Sequence, residues 1–174
     1  MMYKIGILCG LCLFLFSCQD KVEPTATQRS QKRNFTVQKA EAEWKESLSR
    51  QQYYVLREAD TEPPHSSPLI ELTAEGEIRC AACGNPLFDM AHKYTTTSSW
   101  PSFDRAIEGA VVYANDYKLG YRRTEVLCAQ CGGHLGHVFK DGPKETTGKR
   151  FCINGASLEF VPREGGESLV GSYE

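Results

Sequence analysis

The sequence predicts a mainly β (α+β) domain of short antiparallel strands held by a metal clip. Three observations carry this. The runs 109–114 (GAVVYA), 120–127 (GYRRTEVL) and 150–154 (RFCIN) are short and strand-like, bounded by Gly, Asn or Asp. No alternation of strand and helix of the βαβ kind appears, and nothing repeats internally. Two Cys-x-x-Cys-Gly segments, Cys80 to Gly84 and Cys128 to Gly132, stand far apart in the chain and have the form of metal knuckles.

The elements follow in order. With 174 residues, 41% of them hydrophobic and 24% charged, the chain suits one domain plus appendages. Lys plus Arg (20) nearly balances Asp plus Glu (22), a net charge of −2, which argues against a surface that tracks nucleic-acid phosphates. Residues 1–17 combine Lys4 with an uncharged apolar run from Ile5 to Ser17, the pattern of a secretory signal too short to span a bilayer comfortably. Leu15-Phe16-Ser17-Cys18 resembles the bacterial lipobox, which predicts acylation of Cys18, a lipid anchor and a place on the periplasmic or extracellular face of a bacterial cell envelope. The competing reading is a plain signal peptide that leaves Cys18 as a stray thiol. Residues 18–36 are polar and aperiodic, as in a flexible tether, and its Arg29, Lys32 and Arg33 read as solvated charges. A folded domain is expected over 37–162, opening with a helix over about 38–49, and a mobile tail over 163–174.

Cysteine arithmetic points to chemistry. Of eight cysteines, Cys9 and Cys12 leave with the signal and Cys18 is assigned to lipid, so Cys80, Cys83, Cys128, Cys131 and Cys152 remain. The two knuckles supply four sulfurs for a closed tetrahedral site, which suits one structural zinc ion per chain. A pair of disulfides is the alternative in an oxidising compartment. Either way Cys152 is left over. It is a buried small hydrophobe or a nucleophile. Strand alternation puts Arg150, Cys152 and Asn154 on one face and Phe151 and Ile153 on the other, and a guanidinium beside a thiol favours its thiolate. His134 and His137 begin three residues beyond the second knuckle, and Asp141 follows in a loop. These are candidate acid–base groups or structural histidines. A free cysteine with a histidine fits acyl transfer, disulfide exchange or attack on another sulfur.

Four segments carry a more specific resemblance: Cys80 to Phe88, Ser99-Trp100-Pro-Ser-Phe103, Arg123 to Phe139, and Arg150 to Leu158. In order and spacing, with the lead-in Trp44-Lys-Glu-Ser-Leu48, they resemble methionine sulfoxide reductase B over residues 38–161. The resemblance implies two small antiparallel sheets with peripheral short helices, and reduction of the R epimer of methionine sulfoxide in peptides and proteins. It implies Cys152 as nucleophile, with His134 and His137 lining the pocket and assisting protonation of the sulfoxide oxygen. Asp141 and Arg150 would form a polar shell around that oxygen and the thiolate, and Asn154 would steady a tryptophan. Trp100 and Phe151 would contact substrate, with the Trp100 indole against its methyl group.

One departure stands out. Many members of that family carry a resolving cysteine two residues before the tryptophan, where this chain has Ser98. Serine forms no disulfide, so a one-cysteine cycle is expected, in which an external thiol, thioredoxin-like or other, reduces a Cys152 sulfenic acid. A monomer that repairs oxidised exported proteins is the expected whole. The rival class is a non-catalytic binding module built on the same zinc clip, for which Cys152 would have no role.

Overall fold

The computed structural model describes residues 34–172. The expected signal peptide, the acylated Cys18 and the tether up to residue 33 lie outside the described residues. Among these, no helix is long and apolar enough to cross a membrane.

Two helices open the domain where one was expected. Helix α1 (Glu41–Ser47) starts with the Glu43 carboxylate accepting from the Ala40 N–H at 2.6 Å. It stops because Leu48 is extended (φ −116°, ψ 145°). Helix α2 (Arg50–Glu58) restarts at once on a reciprocal cap: Ser49 Oγ accepts from Gln52 N and Gln52 Oε1 accepts from Ser49 N. The Ser49–Gln52 spacing is visible in the sequence and marks the second start. Trp44 and Leu56 are buried, and α2 lies against β6 (His134–Phe139).

The strands form two antiparallel sheets. In the first, the order is β2 (Pro86–Asp89), β1 (Gly76–Cys80), β8 (Leu158–Pro162), β9 (Leu169–Val170). In the second it is β3 (Ser102–Phe103), β7 (Arg150–Ile153), β6, β5 (Arg123–Cys128), β4 (Val111–Asp116). The expected tail is ordered in part: β9 pairs with β8, and Gly171 N donates to Leu158 O at 2.9 Å. At the other end Phe35, expected in the tether, is buried in the fold, beside Gly132.

The two sheets share one core. Phe88 of β2 stacks on Phe103 of β3 (centroids 4.4 Å apart) and meets Phe151 of β7 edge-on at 5.8 Å. Phe151 is therefore a core residue, 2% exposed, on the opposite face of β7 from Cys152. The expectation that it touches substrate is corrected: its ring contributes roughly 1.5–3 kcal/mol of burial and points away from the site.

Register fixes the chemistry-bearing face. On β6 and β7, His137 lies directly opposite Cys152, and on β3 Ser102 lies opposite Cys152 from the other side. Between β5 and β6 the pairing slips: Val126 faces Gly136, but Leu127 faces His134, so Leu135 is an extra residue on β6. Residues three apart in a regular strand face opposite sides; this bulge instead brings the His134 and His137 rings to 5.4 Å. Gly136 makes it possible. Its φ is +155°, and a Cβ there would stand 2.2 Å from the Cys152 carbonyl oxygen.

Gly136→Ala is accordingly expected to lose about 2 kcal/mol or more of unfolding free energy, read as a lower urea midpoint at unchanged slope. A midpoint unchanged from wild type would show that the strands separate at no cost.

Candidate active site

The four knuckle cysteines meet as the sequence leads one to expect. Cys80 closes β1 and Cys128 closes β5, so the site joins the two sheets. Their four Sγ atoms all lie within 4.8 Å of one another, with Cys80–Cys131 at 3.7 Å and Cys83–Cys128 at 3.6 Å. A tetrahedral metal–thiolate site with bonds of about 2.3 Å has sulfur–sulfur edges of about 3.8 Å, whereas a disulfide needs about 2.05 Å. The residues fit a metal ion and not the disulfide alternative, and none of the four is in a disulfide. Gly84 (φ +71°) and Gly132 (φ +70°) turn each knuckle, letting their N–H groups return to Cys80 O and Cys128 O. The Asn85 amide and the Gly133 N–H donate to Cys128 Sγ and Cys131 Sγ at 3.5 and 3.4 Å. Such donors hold thiolates for a metal.

Cys152 stands apart, half-buried, on the solvent side of β7. Two clefts meet at its sulfur. The smaller, of about 110 Å³, is lined by Trp100, His137, Asn154, Phe139, Arg123 and Thr61. The larger, of about 500 Å³, is lined by Tyr94, Thr97, Ser98, Asp141 and Arg150. Trp100, Phe139 and Cys152 belong to both.

The electrostatics correct one expectation. Burial pushes the Cys152 thiol up, and the Ser98 hydroxyl (3.2 Å from Sγ) and the Arg150 guanidinium pull it back only in part. Arg150 is not a lone cation: its Nε and Nη2 donate to the two Asp141 carboxylate oxygens at 3.0 and 2.8 Å. Without substrate Cys152 is a thiol. Arg150 and Asp141 line the larger cleft and not the smaller pocket.

The two histidines divide their roles. His137 lines the smaller pocket; its Nε2 lies 2.6 Å from Asp116 Oδ2, which also accepts from Arg123 Nη2. Burial and the neighbouring His134 push His137 down to about 4, against the pull of Asp116. Burial opposes ionisation of Asp116 too, but the Lys118 N–H, the His137 ring and Arg123 hold it down at about 2. Asp116 is thus a carboxylate, His137 a neutral ring donating through Nε2, and Nδ1 is left to exchange a proton. His134 lines neither cleft. It is 2% exposed, its ring 5.4 Å from that of His137 and its Nδ1 2.7 Å from Glu125 Oε1.

Sequence reasoning missed Asp116, Glu125 and Glu62. Glu62, 3% exposed, sits in the loop after α2 and grips the end of β7: its carboxylate accepts from Gly155 N and Ala156 N, each at 2.7 Å. Its backbone N–H donates to Asn154 Oδ1 at 3.1 Å and its carbonyl accepts from the Trp100 indole at 3.3 Å. Asn154, expected to steady the tryptophan, acts through Glu62. A carboxylate before Pro63-Pro64 carries no sequence signal for such a role, since loop acids are ordinarily solvated.

Comparison with known proteins is consistent across methods. Residues 48–162 match the SelR domain family model. The chain is 46% identical over 129 residues to "Peptide methionine sulfoxide reductase MsrB" of Chromohalobacter salexigens, covering 74% of this chain and 97% of that one. It is 48% identical over 127 residues to the protein of the same name from Agrobacterium fabrum (72% and 93% covered). The Pseudomonas savastanoi protein of that name is 48% identical over 129 residues (74% and 98%).

The depressed His137 predicts acid sensitivity. Between about pH 6.5 and 4 the unfolded chain binds a proton that the folded chain refuses, so stability falls as pH falls through that window. Asp116 extends the loss between about pH 4 and 2, where the folded chain resists protonation. Urea midpoints measured against pH should show a shallower slope between pH 6.5 and 4 in His137→Gln. An identical slope would mean that the ring is not buried as a neutral base.

Proposed function

The chain belongs to the SelR-domain family of methionine sulfoxide reductases of the MsrB type, and from that premise we propose that it reduces the R epimer of methionine sulfoxide in peptides and proteins. One observation carries the reading: His137 lies directly across the β6–β7 register from Cys152, and both line a pocket of about 110 Å³ with Trp100. A sulfoxide has a strong acceptor oxygen and a small apolar methyl group. Trp100 and Phe139 offer that pocket an apolar wall, and His137 and Asn154 offer polar groups.

The reaction follows from the protonation states. The Cys152 thiol passes its proton to His137 Nδ1 as sulfur attacks the sulfoxide sulfur; the imidazolium, steadied by the Asp116 carboxylate, protonates the sulfoxide oxygen. The attack forms a sulfur–sulfur bond; as the protonated oxygen passes from the substrate sulfur to Cys152, that bond and the substrate's sulfur–oxygen bond both break, so methionine leaves reduced by two electrons and Cys152 is oxidised to a sulfenic acid. Neutral imidazole plus thiol and imidazolium plus thiolate carry the same number of protons. The raised thiol is therefore no obstacle.

The second half-reaction is a one-cysteine cycle. Ser98 lies 3.2 Å from Cys152 Sγ, where a resolving cysteine would have to stand, and offers a hydroxyl instead. An external thiol, thioredoxin-like, reduces the sulfenic acid. Zinc is the ion for Cys80, Cys83, Cys128 and Cys131, on the strength of the tetrahedral spacing; with four protein ligands it supplies folding energy and no open position. The signal-like residues 1–17 and the Leu15 to Cys18 segment support a lipid-anchored monomer on the outer side of a bacterial envelope membrane, acting on oxidised exported proteins.

Three measurements test this. With separated R and S sulfoxide peptides and dithiothreitol, turnover is expected for R alone; Cys152→Ser should lose about a thousandfold or more and His137→Gln about a hundredfold or more. A Cys152→Ser protein that keeps its function would favour the binding module. Single-turnover methionine release should be flat across neutral pH, between the His137 value of about 4 and the raised Cys152 thiol. A rate that climbs with thiol ionisation would overturn the proton relay. After one turnover without reductant, a sulfenate probe should label Cys152; an intramolecular disulfide would refute the one-cysteine cycle.

A further inference from the structure

Cys152 is reached from two sides, and the two sides differ in size and chemistry. The smaller pocket has an aromatic wall and a neutral histidine that accounts for one proton transfer. The larger cleft, about 500 Å³, includes neither His137 nor Asn154 in its lining. It shares Trp100 and Phe139 with the smaller pocket, and what it adds is hydroxyls (Thr96, Thr97, Ser98, Ser99), Tyr94 and the Arg150–Asp141 ion pair. The Tyr94 hydroxyl is buried with no hydrogen-bond partner among the described residues. Ser98 at 3.2 Å shows that a group in this cleft reaches the Cys152 sulfur directly.

We propose that the larger cleft is the binding site for the second substrate, a dithiol reductant, and that it delivers the attacking sulfur to Cys152 from the Arg150 side of the strand. The inference rests on the one-cysteine cycle above. Geometry requires two sides. The oxygen reaches Cys152 from the smaller pocket, so the new sulfur–oxygen bond points into that pocket. Displacement at sulfur is in line, so the incoming thiolate needs an approach other than the one the oxygen occupies, and the larger cleft, toward Arg150 where the smaller pocket lies toward Asn154 along β7, offers it. There its sulfur bonds to Cys152 Sγ as the sulfur–oxygen bond of the sulfenic acid breaks, and the hydroxyl leaves as water on taking the one proton that the thiol gives up, relayed through His137. The reductant's second thiol then attacks the mixed disulfide, and Cys152 is released as a thiol while the reductant becomes a disulfide. The polar lining suits the peptide groups beside a protein cysteine as well as a small dithiol. Arg150 stands where it can hold an incoming thiolate.

The test uses the full chain, charged to the sulfenic acid by one equivalent of R-sulfoxide peptide, with dithiothreitol or a thioredoxin then added. Thr97 is exposed, so Thr97→Trp fills the cleft from its rim. Expected is a fall of about tenfold or more in the second-order rate of sulfenate reduction, with methionine release in the first turnover held within about twofold. An unchanged reduction rate, or equal slowing of both steps, would overturn the assignment. A second measurement needs no variant. Excess product peptide, which occupies the smaller pocket, should leave reduction of wild-type sulfenate by dithiothreitol unaffected; competitive slowing would mean that the thiol uses the substrate's own pocket. A loss confined to the thioredoxin arm identifies a protein dithiol as the one the cleft selects, and an equal loss with dithiothreitol identifies the cleft as selecting the thiol group alone. Failure of the underlying cycle reads differently: the charged enzyme would then carry a disulfide and no sulfenic acid.

Discussion

Four sulfur atoms within 4.8 Å of one another tie the end of β1 in one sheet to the end of β5 in the other, and the rest of the molecule is hung from that tie. Four thiolates at such spacing repel one another unless a cation sits among them, so the joint between the sheets and the binding of a metal are one event. The second knuckle runs straight into β6, which carries both histidines. Arg57, buried in α2, donates to Cys131 O at 3.1 Å and lies 4.6 Å over the Trp44 ring, so the helices are fastened to the same knuckle. An ion held at this place would fix the start of β6, the strand that carries His137.

From that frame the site derives its reactivity through a balance of burial and charge. Burial raises the Cys152 thiol and lowers the His137 imidazolium, so the neutral pair is favoured before substrate binds. The same burial strengthens the hydrogen bond to Asp116. A cysteine kept as thiol until a sulfoxide arrives is also less open to adventitious oxidation than a standing thiolate. Arg150 alone would have pulled toward the thiolate; Asp141 shares its charge and moderates that pull.

Glu62 ties Trp100 to the end of β7. Its carboxylate holds two N–H groups and its backbone holds Asn154 and the indole. The loop that carries it follows α2, which the metal knuckle anchors through Arg57. Metal, helix, loop and tryptophan thus form one chain of contacts from the clip to the substrate pocket.

Much of this is legible in the linear chain, and the reason is local. Cys80, Cys83, Cys128 and Cys131 announce themselves because a knuckle is encoded within five consecutive residues, and once they are subtracted Cys152 stands alone. Alternation over Arg150 to Ile153 separates the reactive face from the core face because a strand's period is fixed by its backbone. The tertiary structure decided what depends on partners far along the chain. Phe151 belongs to the core because Phe88 and Phe103 arrive beside it. His134 and His137 share a face because β5 slips by one residue against β6. Asp116, Glu125 and Glu62 become buried partners only when strands and a loop remote in sequence close over them. Even the state of Cys152 was beyond the sequence, since a neighbour's charge can be read from residue order, but the desolvation that opposes it exists only in the folded interior.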